Sequence, residues 1–64
     1  MSLALLSPDD VGQALAGRMK ARRLALNLSQ AGLAERSGVN LHSLRRFEKT
    51  GLIALGSLLR ISLV

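Results

Sequence analysis

His42, Arg45, Arg46 and Lys49 place an imidazole, two guanidinium groups and an ammonium within eight residues. On a helix, at about 100° per residue, the four share an arc of about 100° while Leu44 and Phe47 point to the opposite side. A row of this kind suits an anion with repeating charge. A guanidinium can fork onto a phosphate or onto the acceptor edge of guanine, and an ammonium supplies a point charge. Asn40 and Ser43, near the start of the same helix, can reach a phosphate or a base edge. Other chemistry has less to build with. His42 is the one histidine and there is no cysteine, so no metal site is expected. Asp9 and Asp10 are adjacent and diverge by about 100° on a helix, which fits charges at a helix N-terminus better than an acid and base pair.

Composition narrows the classes further. A chain of 64 residues makes one domain, and a domain of that size buries only about 60% of its unfolded surface, which leaves no room for a large catalytic cleft. No enzymatic activity, catalytic residue or cofactor is therefore expected. Nine Lys and Arg against four Asp and Glu give a formal charge of +5, and the pI is near 11.6, a balance that favours a polyanion or an anionic surface. The absence of cysteine fits a reducing cytoplasm. The opening MSLALLS carries too short an apolar run for a secretory signal, has no basic flank before it and is followed by Pro and two Asp, so it reads as mature protein. Charges interrupt every apolar stretch before the ~18 residues that a membrane span requires. A basic peptide lying on membranes is disfavoured by the lack of Trp and Tyr and by short, glycine-punctuated helices. Single-stranded nucleic acid would need a stacking platform, and the only aromatic residue, Phe47, is on the inner face.

The elements that must position these residues are helical. Ser7, Pro8, Asp9 and Asp10 form a start signal, with Ser7 as N-cap, Pro8 at the first helical position, Asp10 three residues after the cap, and Leu6 and Val11 placed to staple the entry. Val11, Leu15, Met19 and Leu26 are the expected inner face of this helix, which should end near Leu26 or Asn27 with Lys20, Arg22 and Arg23 toward its C-terminus. Ser29 caps a second helix from Gln30 to about Ser37, with Leu33, Ala34 and Ser37 inward, and Gly38 stops it. Asn40 caps a third from about Leu41 to Thr50, ended by Gly51. A fourth helix runs from about Leu55 to Val64, with Ala54 where a capping Ser or Asp would help. Gly12, Gly17, Gly32 and Gly56 fall inside these helices at a cost of about 0.5–1 kcal/mol each relative to Ala, which close packing could explain at some of them. No stretch alternates as a strand does, and there is no repeat or linker. The fold class expected is all-α, a compact bundle of four to five short helices in a single domain over residues 1–64.

Gln30 to Phe47 resembles the helix-turn-helix unit of the phage repressor and Cro-like, or Xre-type, regulators, and the likeness of pattern extends over roughly Arg18 to Ile61. The family places a small residue midway along its first motif helix, a glycine in the turn, an apolar residue after it and two buried apolar residues in the second helix. Here these are Ala34, Gly38, Val39, Leu44 and Phe47. Helices joined by so short a turn cross steeply, so a small side chain fits at the contact and a residue tolerant of positive φ fits in the turn. Two departures stand out. Gly32 occupies the place where a Glu usually completes the capping box after Ser29, and Leu41 stands where the family often has a polar base-reading residue.

The resemblance implies a lambda repressor-like fold, with the motif at about residues 30–49, and sequence-specific binding of double-stranded DNA by a recognition helix in the major groove. It implies a bacterial or phage-type transcriptional regulator acting as a homodimer, cytoplasmic and nucleoid-associated. The DNA-binding residues would be Gln30, Asn40, Leu41, His42, Ser43, Arg45, Arg46 and Lys49, with Gln30 on a backbone phosphate at the N-terminus of the first motif helix. Arg23 and Glu48 match a family pair that ties the preceding helix to the recognition helix, joining Ala34, Gly38, Leu44 and Phe47 as structural residues. Leu58, Ile61, Leu63 and Val64 exceed what one inner face requires, and the two uses open to them are a dimer contact and packing within the monomer. The chain stops at Val64 within what reads as the last helix, which leaves open whether further residues complete the domain. Cations opposite Leu44 and Phe47 are also what any soluble amphipathic helix displays; it is the Ala34, Gly38, Leu44 spacing that turns the reading toward a groove. The alternative is an antitoxin or coactivator-type module of the same fold, whose main partner is a toxin or other protein.

Overall fold

The computed structural model describes residues 7–64, which form four helices: α1 (Pro8–Ala25), α2 (Gln30–Ser37), α3 (Leu41–Thr50) and α4 (Leu55–Ser62). The architecture is all-α, and among the described residues there is no strand. α1 packs chiefly on α3, while α2 packs on α3 and on α4. One core joins every helix: Ala16 from α1, Leu33 and Ala34 from α2, Val39 from the turn, Leu44 and Phe47 from α3, and Ile61 from α4. Leu44, Phe47 and Ile61 are fully buried, and burial of side chains of this size contributes about 1.5–3 kcal/mol apiece.

Each helix begins and ends for a local reason. At the start of α1 the Ser7 hydroxyl accepts from Asp10 N–H at 3.1 Å, while the Asp10 carboxylate accepts from Ser7 N–H at 3.1 Å and from the Ser7 hydroxyl at 2.9 Å. Two otherwise unpaired helix-start donors are thereby satisfied reciprocally. Leu6, the expected staple partner of Val11, lies outside the described residues. α1 ends in a Schellman arrangement: Asn27 takes φ 57°, its N–H donates to Leu24 O at 3.0 Å, and Leu28 N–H donates to Arg23 O at 3.0 Å. Asparagine is among the few residues other than glycine that adopt this left-handed conformation readily. Ser29 accepts from Gly32 N–H at 2.9 Å and starts α2 without the reciprocal carboxylate.

The inner face of α1 agrees with the expected one only in part. Leu15 and Leu26 are exposed, Val11 and Met19 are half-buried, and the buried residues are Ala16 and Arg23. Gly12 explains the rotation. A Cβ at Gly12 would stand 2.6 Å from Gly51 O, and one at Gly51 would stand 2.6 Å from Gln13 N and Gly12 C. The backbone of α1 thus lies directly on the end of α3, and that contact turns the Gly12, Ala16, Arg23 side inward in place of the larger Leu15 and Leu26. Gly51 also carries φ 79°, so its left-handed turn and its close approach both exclude a side chain.

Candidate nucleic-acid interface

Leu44 and Phe47 anchor α3 in the core, and their position dictates what the opposite side presents. His42, Arg45, Arg46 and Lys49 are all exposed, as the helical wheel requires. Among the described residues none of the four forms an ion pair, the one pair being Arg23–Glu48. Asp9 and Asp10 are in the first turn of α1, and Glu35 is exposed on α2.

The start of α3 is built by its turn. Gly38 takes φ 74°, its N–H donates to Ala34 O at 3.0 Å, and the Ser37 hydroxyl accepts from Val39 N–H at 3.2 Å. Val39 is then delivered into the core. Asn40 Oδ1 accepts from His42 N–H at 2.8 Å and from Ser43 N–H at 3.4 Å. That oxygen is committed to capping, and only the amide NH2 of Asn40 is left to meet a partner. Leu41 is set differently from the four basic residues. It is half-buried and packs against the core cluster, because an apolar side chain beside Val39 and Leu44 is more stable there than in water. Its contribution is packing at the rim of the helix, outside the outward arc.

The roll of α3 about its axis is set by a buried network. Arg23 Nε donates to Glu48 Oε2 at 2.9 Å, Nη2 donates to Glu48 Oε1 at 3.0 Å, and Nη1 donates to Leu28 O at 2.8 Å. The side chains are 8% and 5% exposed. This forked, charge-assisted geometry binds α1, the turn before α2, and α3 at one point. Gln30 Nε2 completes it by donating to Glu48 Oε1 at 3.3 Å. The expected phosphate-contacting amide is therefore turned toward Glu48. The backbone N–H of Gln30 is one of the four at the start of α2 with no intrahelical acceptor.

The sequence reading overlooked the groove beside Arg46. It has a volume of about 390 Å³ and is lined by Ser43 and Arg46 from α3, Leu52, Ile53 and Ala54 from the connection, and Ser57 from α4. No side chain caps α4 at Ala54, so its first N–H groups and the positive end of its dipole lie at the groove that Arg46 borders. The signal was present in the sequence as the missing cap. Among the described residues no helix is long and apolar enough to cross a membrane, and no group of three or more His, Cys, Asp or Glu side chains could hold a metal ion. Comparison of the chain with protein-family models, with curated proteins and with solved structures finds no match.

Proposed function

We propose that the chain binds double-stranded DNA in a sequence-specific manner, with α3 in the major groove, and acts as a transcriptional regulator of the Xre type. The observation that carries the reading is the exposed, unpaired arc of His42, Arg45, Arg46 and Lys49 on a helix whose roll is fixed by Leu44, Phe47 and the Arg23–Glu48 pair. A helix lies in the major groove only if its outward face is free of tertiary contacts and its charges are available to phosphates and base edges. α3 meets both conditions.

Roles divide along the helix. Arg46, one turn into the helix and carrying a long forked side chain, reads a base edge. Lys49, near the C-terminus, meets the phosphate wall. Arg45 and His42 touch base or phosphate according to tilt, while Ser43 and the Asn40 NH2 contact the wall near the start. The free N–H groups at the start of α2 and α4 supply further phosphate donors. One helix covers only a few base pairs, so the working unit is a homodimer on two half-sites about one helical turn apart.

Selection from random duplexes followed by fluorescence anisotropy at several salt concentrations tests the proposal. A preferred duplex, with affinity falling steeply as salt rises, is the expected result. Equal affinity for selected and scrambled duplexes would remove it and favour the protein-interaction module.

A further inference from the structure

His42 is the chain's one histidine, and imidazole is the side chain whose ordinary charge change falls between pH 5 and 8. Lysine and arginine side chains stay charged throughout that range. Position sets His42 apart as well. At about 100° per residue, His42 and Lys49 point within about 10° of the direction opposite Leu44 and Phe47, while Arg45 and Arg46 stand about 50° to either side. Lys49 belongs to the last turn of α3. His42 belongs to the first, where its backbone N–H is fixed to Asn40 Oδ1 at 2.8 Å. The first turn of a helix lying in the major groove is the part that meets base edges, and its central line faces the floor of the groove instead of either phosphate wall.

We infer that His42 reads a guanine edge as imidazolium, so that specific binding takes up a proton and both affinity and base preference strengthen as pH falls. The inference rests on the DNA reading proposed above and names a regulation of that same helix. The two protonation states offer different chemistry. Neutral imidazole carries one N–H donor and one acceptor nitrogen, so it accommodates either an acceptor or an amino group on the base. Imidazolium carries donors at both nitrogens. It suits guanine, whose major-groove edge presents acceptors alone at N7 and O6, and it is repelled by the amino groups that adenine and cytosine place there. Thymine offers one acceptor beside a methyl group.

Among the described residues nothing holds that charge in advance. His42 is exposed and forms no ion pair. Its neighbours along the outer face of α3 are the cations Arg45 and Arg46, three and four residues on. The acids are elsewhere: Asp9 and Asp10 in the first turn of α1, Glu35 exposed on α2, and Glu48 buried against Arg23. The other charged side chains of α1, α2 and α4 are the cations Arg18, Lys20, Arg22, Arg36 and Arg60. The counter-charge must therefore come from the DNA, and a group that meets an anion only in the complex binds its proton more tightly there. By linkage, affinity rises as pH falls through the imidazole range and is level above it, where the ring is neutral in both states.

The test begins with selection of a duplex from random sequence at about pH 5.5, where imidazole is charged. Fluorescence anisotropy is then run from about pH 5.5 to about pH 8, at several salt concentrations, on the selected duplex, on versions with each guanine in turn replaced by adenine, and on a scrambled duplex. Wild type is compared with His42→Gln, which keeps a donor and an acceptor without the charge, and with His42→Arg, which is charged at every pH; far-UV circular dichroism confirms that each is folded. Wild type should bind the selected duplex about 10-fold more tightly at the lower pH, the change that one unit of differential protonation gives, with a salt slope steeper by about one. One guanine replacement should abolish most of that gain. His42→Gln should bind independently of pH, and His42→Arg should keep the guanine preference at the higher pH. A pH dependence that survives in His42→Gln belongs to another group and overturns the inference, as does a selected site without guanine. An equal gain on every guanine replacement places the ring against phosphate and overturns the base contact. A duplex preferred by the same margin at every pH removes this inference and leaves the DNA reading intact, whereas no preference over the scrambled duplex at any pH removes both.

Discussion

Replacing Arg23 with Met tests the central device of the fold. The substitution keeps much of the apolar stem and removes three donors, two to the Glu48 carboxylate and one to Leu28 O. The Glu48 side chain is 5% exposed and would keep a single donor, Gln30 Nε2 at 3.3 Å. An unpaired charge in so dry a place costs about 3–5 kcal/mol. A domain of this size has a total stability of about 3–10 kcal/mol. Arg23→Met should therefore be largely unfolded at the low end of that range and strongly destabilised at the high end. Urea unfolding followed by far-UV circular dichroism measures the difference, with an excluded osmolyte added to hold weak variants folded. Arg23→Lys should lie between, because an ammonium keeps the charge but cannot fork onto both carboxylate oxygens while reaching Leu28 O. The decisive variant is the double Arg23→Met, Glu48→Met, which removes both charges. It should recover most of the loss, since replacing a buried pair with apolar groups of similar volume is often neutral or better. A single-substitution loss under about 1 kcal/mol would place the pair among solvent-screened surface bridges and refute the argument.

The remaining predictions concern other contacts. Gly12→Ala should destabilise by about 1–2 kcal/mol, because the clash with Gly51 O outweighs the gain in helix propensity, whereas Gly17→Ala, with open space around its position, should stabilise by about 0.5–1 kcal/mol; paired urea titrations decide both. Asn27→Gly should be neutral or slightly stabilising and Asn27→Val should cost about 1–2 kcal/mol, since the left-handed turn after α1 penalises a branched side chain. The Ser7 backbone N–H and hydroxyl hold Asp10 below its ordinary value of 3.8, so its contribution is fully present above that value and is lost as pH falls through the lowered one; Asp10→Asn should flatten that acid limb of the stability curve. On DNA, Arg46→Ala should cost about 1–3 kcal/mol on the preferred site and relax one base position, while Lys49→Ala should weaken all duplexes alike and reduce the salt slope by about one.

What the sequence disclosed was whatever depends on near neighbours along the chain. The Ser7–Asp10 capping box, the Ser29 and Asn40 caps, the stops at Gly38 and Gly51, and the division of α3 into Leu44 and Phe47 against four exposed basic residues all appear where local pattern puts them. On α1 the pattern holds for Val11 and Met19 and fails for Leu15 and Leu26, because a hydrophobic wheel ranks leucine above glycine, alanine and arginine. Backbone contact between Gly12 and Gly51 joins positions far apart in sequence, and no periodicity reports it. Leu58 and Ile61 were counted as surplus for a related reason: α2 packs on α4, and a single-helix pattern cannot reveal how much of its circumference the neighbours cover. The inward turn of Gln30 is also tertiary, since it follows from where Glu48 arrives.

That inward turn connects stability to the proposed recognition. Glu48 lies on the same helix as Arg45, Arg46 and Lys49, and its carboxylate is fixed at once by α1 through Arg23 and by α2 through Gln30. Rotating α3 by even one residue's worth, about 100°, would carry Glu48 into the outward arc and one of the cations into the core. The ion pair thus excludes the alternative faces of α3, and it does so whether or not it adds net stability over an apolar pair. Arg23→Met, Glu48→Met should for this reason separate the two roles: a stable, helical domain in which α3 is less strictly oriented. If the groove reading holds, that variant will bind duplexes with a salt dependence close to wild type and a reduced preference for its selected site. Undiminished preference would show that Leu44 and Phe47 alone set the roll of the helix.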